Sequence, residues 1–397
     1  MPIEYRPITE EELIATAEMS SWAFGGHFSE SELPQTQEFF EMGESVAAFD
    51  GSDPVGLVLY SAFEMTVPGG SATTACVGPV VVLPTHRRRG IMTEMMKQQL
   101  TNAFERGLAL SPLEAAESII YGRFGYGIAA EHENWTIQRQ DTAFRQQYEW
   151  NGSLKIVKAD YAKVSFPNVF RRATPDRPGV IQPPKTWWDG MFDDLAEHRD
   201  GASANFYVEY REDNVEGYVV YRLKGDTVVV QQLMAVTDAA YAALWGYCFG
   251  IDLRTTTKAY HRPVDDTLVW MLANPRQLKR EPYDRTWMRL VDVPKALSSR
   301  TYATEDTLVF QVDDDFCPWN QGTYELTGGL SGAVCKPTTK VPDLVLTSAD
   351  LAVPYLGGFR FAPLARAGRV EERTRGALRR ADAMFATQLK PWSPVLC

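Results

Sequence analysis

Apolar and polar positions in residues 1–130 fall into short, well-punctuated runs. Thr9 and Glu12 make a capping-box pair ahead of Leu13, Ile14 and Ala17, a spacing that predicts a helix start. Ser45 to Phe49 and Pro54 to Phe63 are apolar runs around Asp50-Gly51, which predicts two strands joined by a turn. Cys76 to Leu83 predicts a third strand, closed by Pro84. After the basic turn His86 to Gly90, the residues Ile91, Met92, Met95, Met96, Leu100, Ala103 and Phe104 recur at helical spacing until Gly107. Leu108 to Leu113 predicts a further strand, and Glu117 to Phe124 a short helix ended by Gly125. Strand, basic glycine turn, helix, strand, helix is an α/β unit.

The pattern changes near residue 130. Arg171 to Pro184 is rich in proline and predicts a loop. Tyr207 to Leu223 predicts a hairpin, Val228 to Val236 a strand, and Thr237 to Phe249 a helix with Asp238 near its start and Gly250 at its end. This strand and helix suggest a second unit related to the first, but without a glycine-rich basic turn. Trp287 to Ala296 opens a third block. Strands are predicted at Thr307 to Val312, Thr323 to Thr327 and Asp343 to Thr347, with helices at Ser348 to Leu356 and Glu371 to Phe385.

Composition narrows the function classes. With 40 basic and 51 acidic residues the formal charge is −11, so a nucleic-acid or anionic-membrane binder is disfavoured and a partner carrying amines suits the field. The five cysteines lack metal-ligand spacing and are odd in number, so no metal site and no disulfide framework are expected. No apolar window is long enough to span a bilayer, and the start of the chain carries no leader pattern. The expected location is cytoplasmic, or outside the cell by a route that leaves no sequence signal.

Two segments stand out chemically. In VVVLPTHRRRGIM, Val80 to Met92, a strand enters a turn at the head of a helix, where free N–H groups and the helix dipole favour an anion. Arg87, Arg88 and Arg89 add charge, and Gly90 permits close backbone approach. A pyrophosphate fits such a turn; a solvated basic turn that binds nothing is equally open on local physics. In EAAESIIYGRFGYG, Glu114 to Gly127, Tyr121 can return a proton to a leaving thiolate, or can be core. Phe124 and Tyr126 read as core plugs.

Together, the arginine–glycine turn and the later Tyr121-x-x-x-Gly125-Tyr126 run resemble the acetyl-CoA site of the GNAT superfamily of N-acetyltransferases. The strings PTHRRRG and IYGRFGYG resemble the enhanced intracellular survival (Eis) family of aminoglycoside N-acetyltransferases. The likeness covers the whole chain: WMRLVDVPKAL, Trp287 to Leu297, matches that family's entry to its last domain, and DAMFATQLKPWSPVLC matches the length of its ending.

The resemblance implies an α/β (α+β) chain with tandem GNAT-like domains followed by a sterol-carrier-protein-like C-terminal domain. An acetyl-CoA domain over 1–130, a central GNAT-like domain without cofactor over 131–286, and a last domain over 287–397 are expected. It also implies acetyl-CoA as cofactor, a homo-hexamer built as a pair of trimers, and acetylation of aminoglycoside amines, often at several positions. By position, the backbone of Val80, Val81 and Val82 pairs with the pantetheine arm. Arg88, Arg89, Gly90, Ile91, Met92 and Thr93 hold the pyrophosphate, with Arg87 beside it. Ala116, Glu117 and Ser118 border the acetyl end. Tyr121 is the general acid and the α-carboxylate of Cys397 the general base. A free α-carboxylate has a pKa of ~3.5, and burial in a cleft raises it toward useful basicity.

The chain departs from the pattern in places. Met92 stands where many GNAT proteins have Gly or Ala, and Ala116-Glu117-Ser118 replaces a Ser-Glu-Gly run. Leu396 is penultimate, where some relatives carry an acidic residue. For the acceptor pocket, Trp22, Phe24, His27 and Phe28 in Ser21 to Glu32, together with Glu114 and Leu396, are the candidates. The plainer account of the aromatics is ordinary core at a helix end. His86 reads as a residue that caps or solvates its turn, Asp313 to Asp315 as a loop, and Trp187-Trp188 as a packing anchor. A protein-lysine acetyltransferase and a non-catalytic CoA- or lipid-binding protein are the alternative functions.

Overall fold

The structure, a computed structural model, describes residues 2–395, apart from the side chains at positions 30, 35, 39, 41, 42, 186 and 197. Leu396 and Cys397 lie outside the described residues. Contacts divide the chain into two compact units, one of Met1–Ala130, Asp176–Gln182 and Asp284–Cys397, the other of Glu131–Pro175 and Pro183–Tyr283.

The first unit begins with β1 (Glu4–Arg6), α1 (Leu13–Ala23), α2 (Leu33–Met42), β2 (Glu44–Asp50), β3 (Asp53–Val67), β4 (Gly70–Val82), α3 (Ile91–Glu105), β5 (Leu110–Glu114) and α4 (Ser118–Tyr121). Thr9 and Glu12 form the expected capping box, in which the backbone N–H of Thr9 donates to the Glu12 carboxylate at 2.9 Å. Strands run in the order β1-β2-β3-β4-β5, antiparallel as far as β4 and parallel between β4 and β5. Alternation sends Val46, Ala48, Val58, Tyr60, Ala75 and Val77 to one face, against Met95, Met96 and Leu100 of α3. Ala47, Phe49, Leu57, Leu59 and Val81 go to the other, against Met19 of α1. Strands β3 and β4 are longer than the apolar pattern predicts. They continue to a tight connection at Gly69, whose φ of +76° and whose crowding by Thr301 both require glycine.

The second unit takes the later part of β6 (Gly127–Gln138), then β7 (Ser153–Val157), α5 (Ala159–Ala173), α6 (Lys185–Asp193), β8 (Phe206–Arg211), β9 (Val215–Lys224), β10 (Thr227–Ala235), α7 (Asp238–Gly250), β11 (Thr256–Pro263), α8 (Leu268–Met271) and the start of β12 (Lys279–Leu290). Its strand order is β6-β11-β10-β9-β8-β7, with β10 and β11 parallel. Trp135, Val208, Val219, Val228, Leu244 and Trp245 form its core. Trp188 is buried in α6 against Phe170 of α5, with ring centroids 5.5 Å apart.

The remainder of the first unit starts where β12 pairs with β5, from Thr286↔Glu114 to Leu290↔Leu110. Then come α9 (Val293–Ser298), β13 (Asp306–Asp313), β14 (Gly322–Gly329), β15 (Gly332–Pro337), β16 (Leu344–Thr347), α10 (Ser348–Ala352), α11 (Phe361–Arg366), β17 (Val370–Glu372) and α12 (Ala377–Phe385). The strands order as β15-β14-β13-β16-β17.

Several expectations need correction. The last helix begins at Ala377: Gly376 has φ +90° and breaks the run, and Glu371 and Glu372 belong to β17, paired with β16. The helix predicted to Leu356 stops at Ala352. The stretch read as a loop between Arg171 and Pro184 starts as the end of α5, and its residues near Ile181 bridge to Met65 of β3. Within the acidic triplet, Asp313 ends β13 instead of lying in the loop, while Asp314 and Asp315 are in the loop as expected, Asp314 buried and ion-paired with Arg289. Cys248, Cys317 and Cys335 are free thiols, but Cys76 is disulfide-bonded. Among the described residues no helix is long and apolar enough to cross a membrane.

Candidate active site

The site is built around the end of β4. Pairing of β3 with β4 shifts register between Val58 and Tyr60, which face Val80 and Val77 respectively, so β4 carries an extra residue near Gly78-Pro79. On its other side, β4 pairs with β5 at Thr74↔Leu110 and Val77↔Leu113. Beyond that point the two strands diverge, and the β5-facing edge of Val80 to Val82 is left open. Gly78-Pro79 is the sequence signal for this opening that hydropathy reading passes over: proline lacks the N–H that would continue the ladder.

The chain then turns through Pro84–His86 into α3. His86 is held by Asp50 at 3.3 Å and Thr85 at 2.8 Å, and this contact keeps the Asp50 carboxyl below its usual value. Arg88 has φ +63° and Gly90 φ +82°. A Cβ at Gly90 would meet nothing, so the glycine is required by its left-handed backbone, and the space in front of it is open. Gly90 gives α3 no side-chain cap, and the first-turn amides of Ile91, Met92 and Thr93 have no intrahelical acceptor. Arg87, Arg88 and Arg89 are exposed. Arg87 donates to the carbonyls of Val82 at 3.2 Å and Ala23 at 3.1 Å, so it braces the turn and ties it to the end of α1. This combination of uncapped amides, fixed positive charge and diverging strands suits a long thin molecule with a pyrophosphate at one end.

The end of α1 brings the aromatic candidates to this turn. Trp22 and Phe24 are 51% and 64% exposed, so neither is the ordinary core residue of the plainer reading. His27 is exposed and Phe28 half-buried. Ala116, Glu117 and Ser118 are exposed in the link from β5 to α4. The Glu114 carboxylate is 3.2 Å from the buried guanidinium of Arg285, and burial raises its pKa while Arg285 opposes that rise.

The two tyrosines of the second segment are differently employed. Tyr126 is fully buried, and its hydroxyl is 2.9 Å from the Ser111 hydroxyl, which donates to the Ala75 carbonyl at 3.0 Å. Tyr121 is buried but makes no protein hydrogen bond through its hydroxyl among the described residues; its ring stands edge-on to Tyr126 at 5.9 Å and to Phe124 at 6.5 Å. Burial pushes the Tyr121 pKa up to about 12, and the charge of Arg123 pulls it down. Gly125, at φ +80°, closes the turn against Arg289, which donates to its carbonyl at 3.3 Å.

Models of an acetyltransferase (GNAT) domain match residues 4–129 and 179–290, and a sterol carrier protein domain model matches 293–394. An uncharacterized N-acetyltransferase of Streptomyces avermitilis is 38% identical over 388 residues, 94% of each chain. The N-acetyltransferase Eis of Mycobacterium tuberculosis is 31% identical over 352 residues, 85% of each chain. The crystal structure of Eis1 from Mycobacterium abscessus superposes with a TM-score of 0.87 at 30% identity, over the full length of both chains.

Proposed function

This chain belongs to the Eis family of N-acetyltransferases in the GNAT superfamily, uses acetyl-CoA, and, we propose, acetylates amines of aminoglycosides or related polycationic amines, at several positions on one molecule. Acetyl-CoA supplies an acetyl group already activated as a thioester. In this reading Val80, Val81 and Val82 align the pantetheine arm along the open edge of β4 and present N–H donors toward the thioester oxygen. The amides from Arg88 to Thr93, with Arg89 and the braced Arg87, hold the pyrophosphate, and Ala116, Glu117 and Ser118 border the acetyl end. The α-carboxylate of Cys397 takes a proton from the acceptor ammonium, and Tyr121 gives one to the departing thiolate.

The observation that carries the reading is the contrast between Tyr121 and Tyr126. Both are buried phenols, but the Tyr126 hydroxyl is committed to Ser111, while that of Tyr121 is uncommitted beside the diverging strands. A proton held with a pKa of about 12 stays on Tyr121 throughout the physiological range, ready for a base formed in place. For the acceptor, the net charge of −11 favours polycations, and Trp22, Phe24, His27 and Phe28 offer flat surfaces for sugar rings. Glu114 and Leu396 complete the proposed pocket, and a hexamer of two trimers is the proposed assembly.

The test is CoA-thiol release from acetyl-CoA with kanamycin, other aminoglycosides and spermine, with mass spectrometry of the products. Aminoglycosides gaining one or more acetyl groups support the reading. CoA release with lysine-bearing proteins only would replace it with protein acetylation.

A further inference from the structure

The two candidate segments meet at Arg123. Tyr121 and Arg123 stand two positions apart where α4 runs into its closing turn, so their side chains leave in different directions. Tyr121 goes into the core and Arg123 to the surface. There the Arg123 guanidinium crosses to α3 and donates to the Met92 sulfur at 3.6 Å. A helical side chain leans toward the start of its helix. The sulfur therefore marks the first turn of α3, where the amides of Ile91, Met92 and Thr93 have no intrahelical acceptor.

The guanidinium is seated by two apolar groups. Its central carbon lies 4.8 Å from the centre of the Phe124 ring. That ring is buried and packs on Phe316, with 5.0 Å between centroids. A ring face and a thioether fix where the cation lies, but neither neutralises it. Among the described residues no carboxylate pairs with Arg123, in a chain with 51 acidic residues against 40 basic. Arg87 differs, because its donors go to the carbonyls of Val82 and Ala23. The approach is clear on both segments: a Cβ at Gly90 or at Gly122 would meet nothing. Arg123 is thus a placed cation with most of its N–H donors unspent, beside the positive end of a helix.

We propose that Arg123 is a further cofactor-binding residue, which takes the oxygens of a cofactor phosphate at the head of α3. This rests on the reading of Arg88 to Thr93 as the phosphate-binding turn. CoA carries a pyrophosphate and a 3′-phosphate, and both offer the paired oxygens that a guanidinium fork meets two at a time. Seating on Phe124 and Met92 restrains the side chain beforehand, so less rotamer freedom is lost on binding. Met92, the departure from the Gly or Ala of many GNAT proteins, gains a purpose: its side chain is long enough to seat the cation.

The experiment measures the Kd of CoA and of dephospho-CoA, which lacks the 3′-phosphate, by calorimetry in low and in high salt. The chains compared are the wild type, Arg123→Ala, Arg123→Lys and Gly90→Val. Arg123 is exposed, so its truncation leaves no core cavity, and a thermal melt verifies that each variant is folded. The expected result for Arg123→Ala is a CoA Kd about ten-fold higher in low salt, a loss that shrinks to about two-fold in high salt. Arg123→Lys should recover part of the loss, since it restores the charge without the fork. A loss that persists with dephospho-CoA assigns Arg123 to the pyrophosphate, and one that disappears assigns it to the 3′-phosphate. Suppose Gly90→Val weakens CoA binding while Arg123→Ala leaves both affinities unchanged, or weakens them equally at every salt concentration. The inference is then overturned and the turn stands. If Gly90→Val leaves the CoA Kd unchanged, the turn is not the phosphate site and the inference falls with it.

Discussion

Two strand-to-helix junctions, β4 into α3 and β10 into α7, share one architecture and differ in what fills it. Each follows a strand with a register shift, between Val58 and Tyr60 in the β3 partner of β4 and between Val230 and Gln232 in β10 itself. Each strand has a parallel neighbour from which it diverges, after Val77↔Leu113 in one case and after Val230↔Ala259 in the other. At the first junction, Gly90 leaves the helix amides uncapped and three arginines flank them. At the second, the Thr237 hydroxyl accepts from Ala240 N–H at 3.1 Å and Asp238 places a carboxylate in the first turn.

The divergence itself is also treated differently. Where β10 and β11 part, buried Arg262 donates to the Leu233 carbonyl at 3.1 Å and to Asp266 at 2.6 Å, and Tyr241 donates to the same carboxylate. The chain's own side chains occupy the slot that remains open beside Val80 to Val82. On the proposed reading, the capacity to hold the cofactor resides in the residues at the junction: a glycine instead of a threonine at the cap, and no side chain bridging the diverging strands among the described residues.

The largest expected effect in stability is at the filled junction. Arg262→Met leaves the Asp266 carboxylate buried without its cation, which should cost about 3–5 kcal/mol in chemical denaturation while the acetyl-CoA KM of the surviving fold stays as in wild type. At the open junction, Gly90→Val forces a β-branched residue into φ +82° and puts methyl groups in front of the amides. The acetyl-CoA KM should rise about 100-fold, read by steady-state kinetics, and an unchanged KM would remove Gly90 from the cofactor site. Tyr121→Phe should lower kcat about 100-fold with folding intact, whereas Tyr126→Phe should lose about 1 kcal/mol of stability and keep its turnover. Thr237→Val should cost about 1 kcal/mol through the lost cap, with kinetics unchanged.

The smallest effect concerns pH. The folded pKa of Tyr121 is raised to about 12 from 10.0, so the phenol keeps its proton in the native state where the unfolded chain has lost it. Its contribution to stability is complete below pH 10 and is lost as pH rises from there through 12. Between pH 7 and 10 it should therefore place no descending limb on the rate. A fall in kcat with a midpoint near 9 that vanishes in Tyr121→Phe would contradict its buried setting.

Much of this contrast was legible in the sequence, but unevenly. The basic turn interrupts an apolar pattern and is the only run of its kind, so Arg87 to Gly90 stood out. Its missing counterpart ahead of α7 was equally legible. The bulge was not, because Gly78-Pro79 sits inside an apolar run and reads as strand. Arg262 and Arg289 were invisible for another reason: a buried ion pair is made by partners distant in sequence or outside a helix, and nothing in local periodicity marks an arginine as buried. The run 176–182 reads as a loop because its prolines exclude regular structure; what fixes it is the edge of β3 that β2 leaves vacant beyond Glu44↔Tyr60, a tertiary feature. In the last helix, Glu371 and Glu372 fit helical periodicity, and only the left-handed Gly376 separates them from it.

The most direct test is the number of acetyl-CoA molecules bound per chain, by isothermal titration calorimetry on the wild type, Gly90→Val and Thr237→Val. One site per chain, lost in Gly90→Val and retained in Thr237→Val, is the predicted result. Two sites per chain, or a single site that survives Gly90→Val and disappears in Thr237→Val, would contradict it.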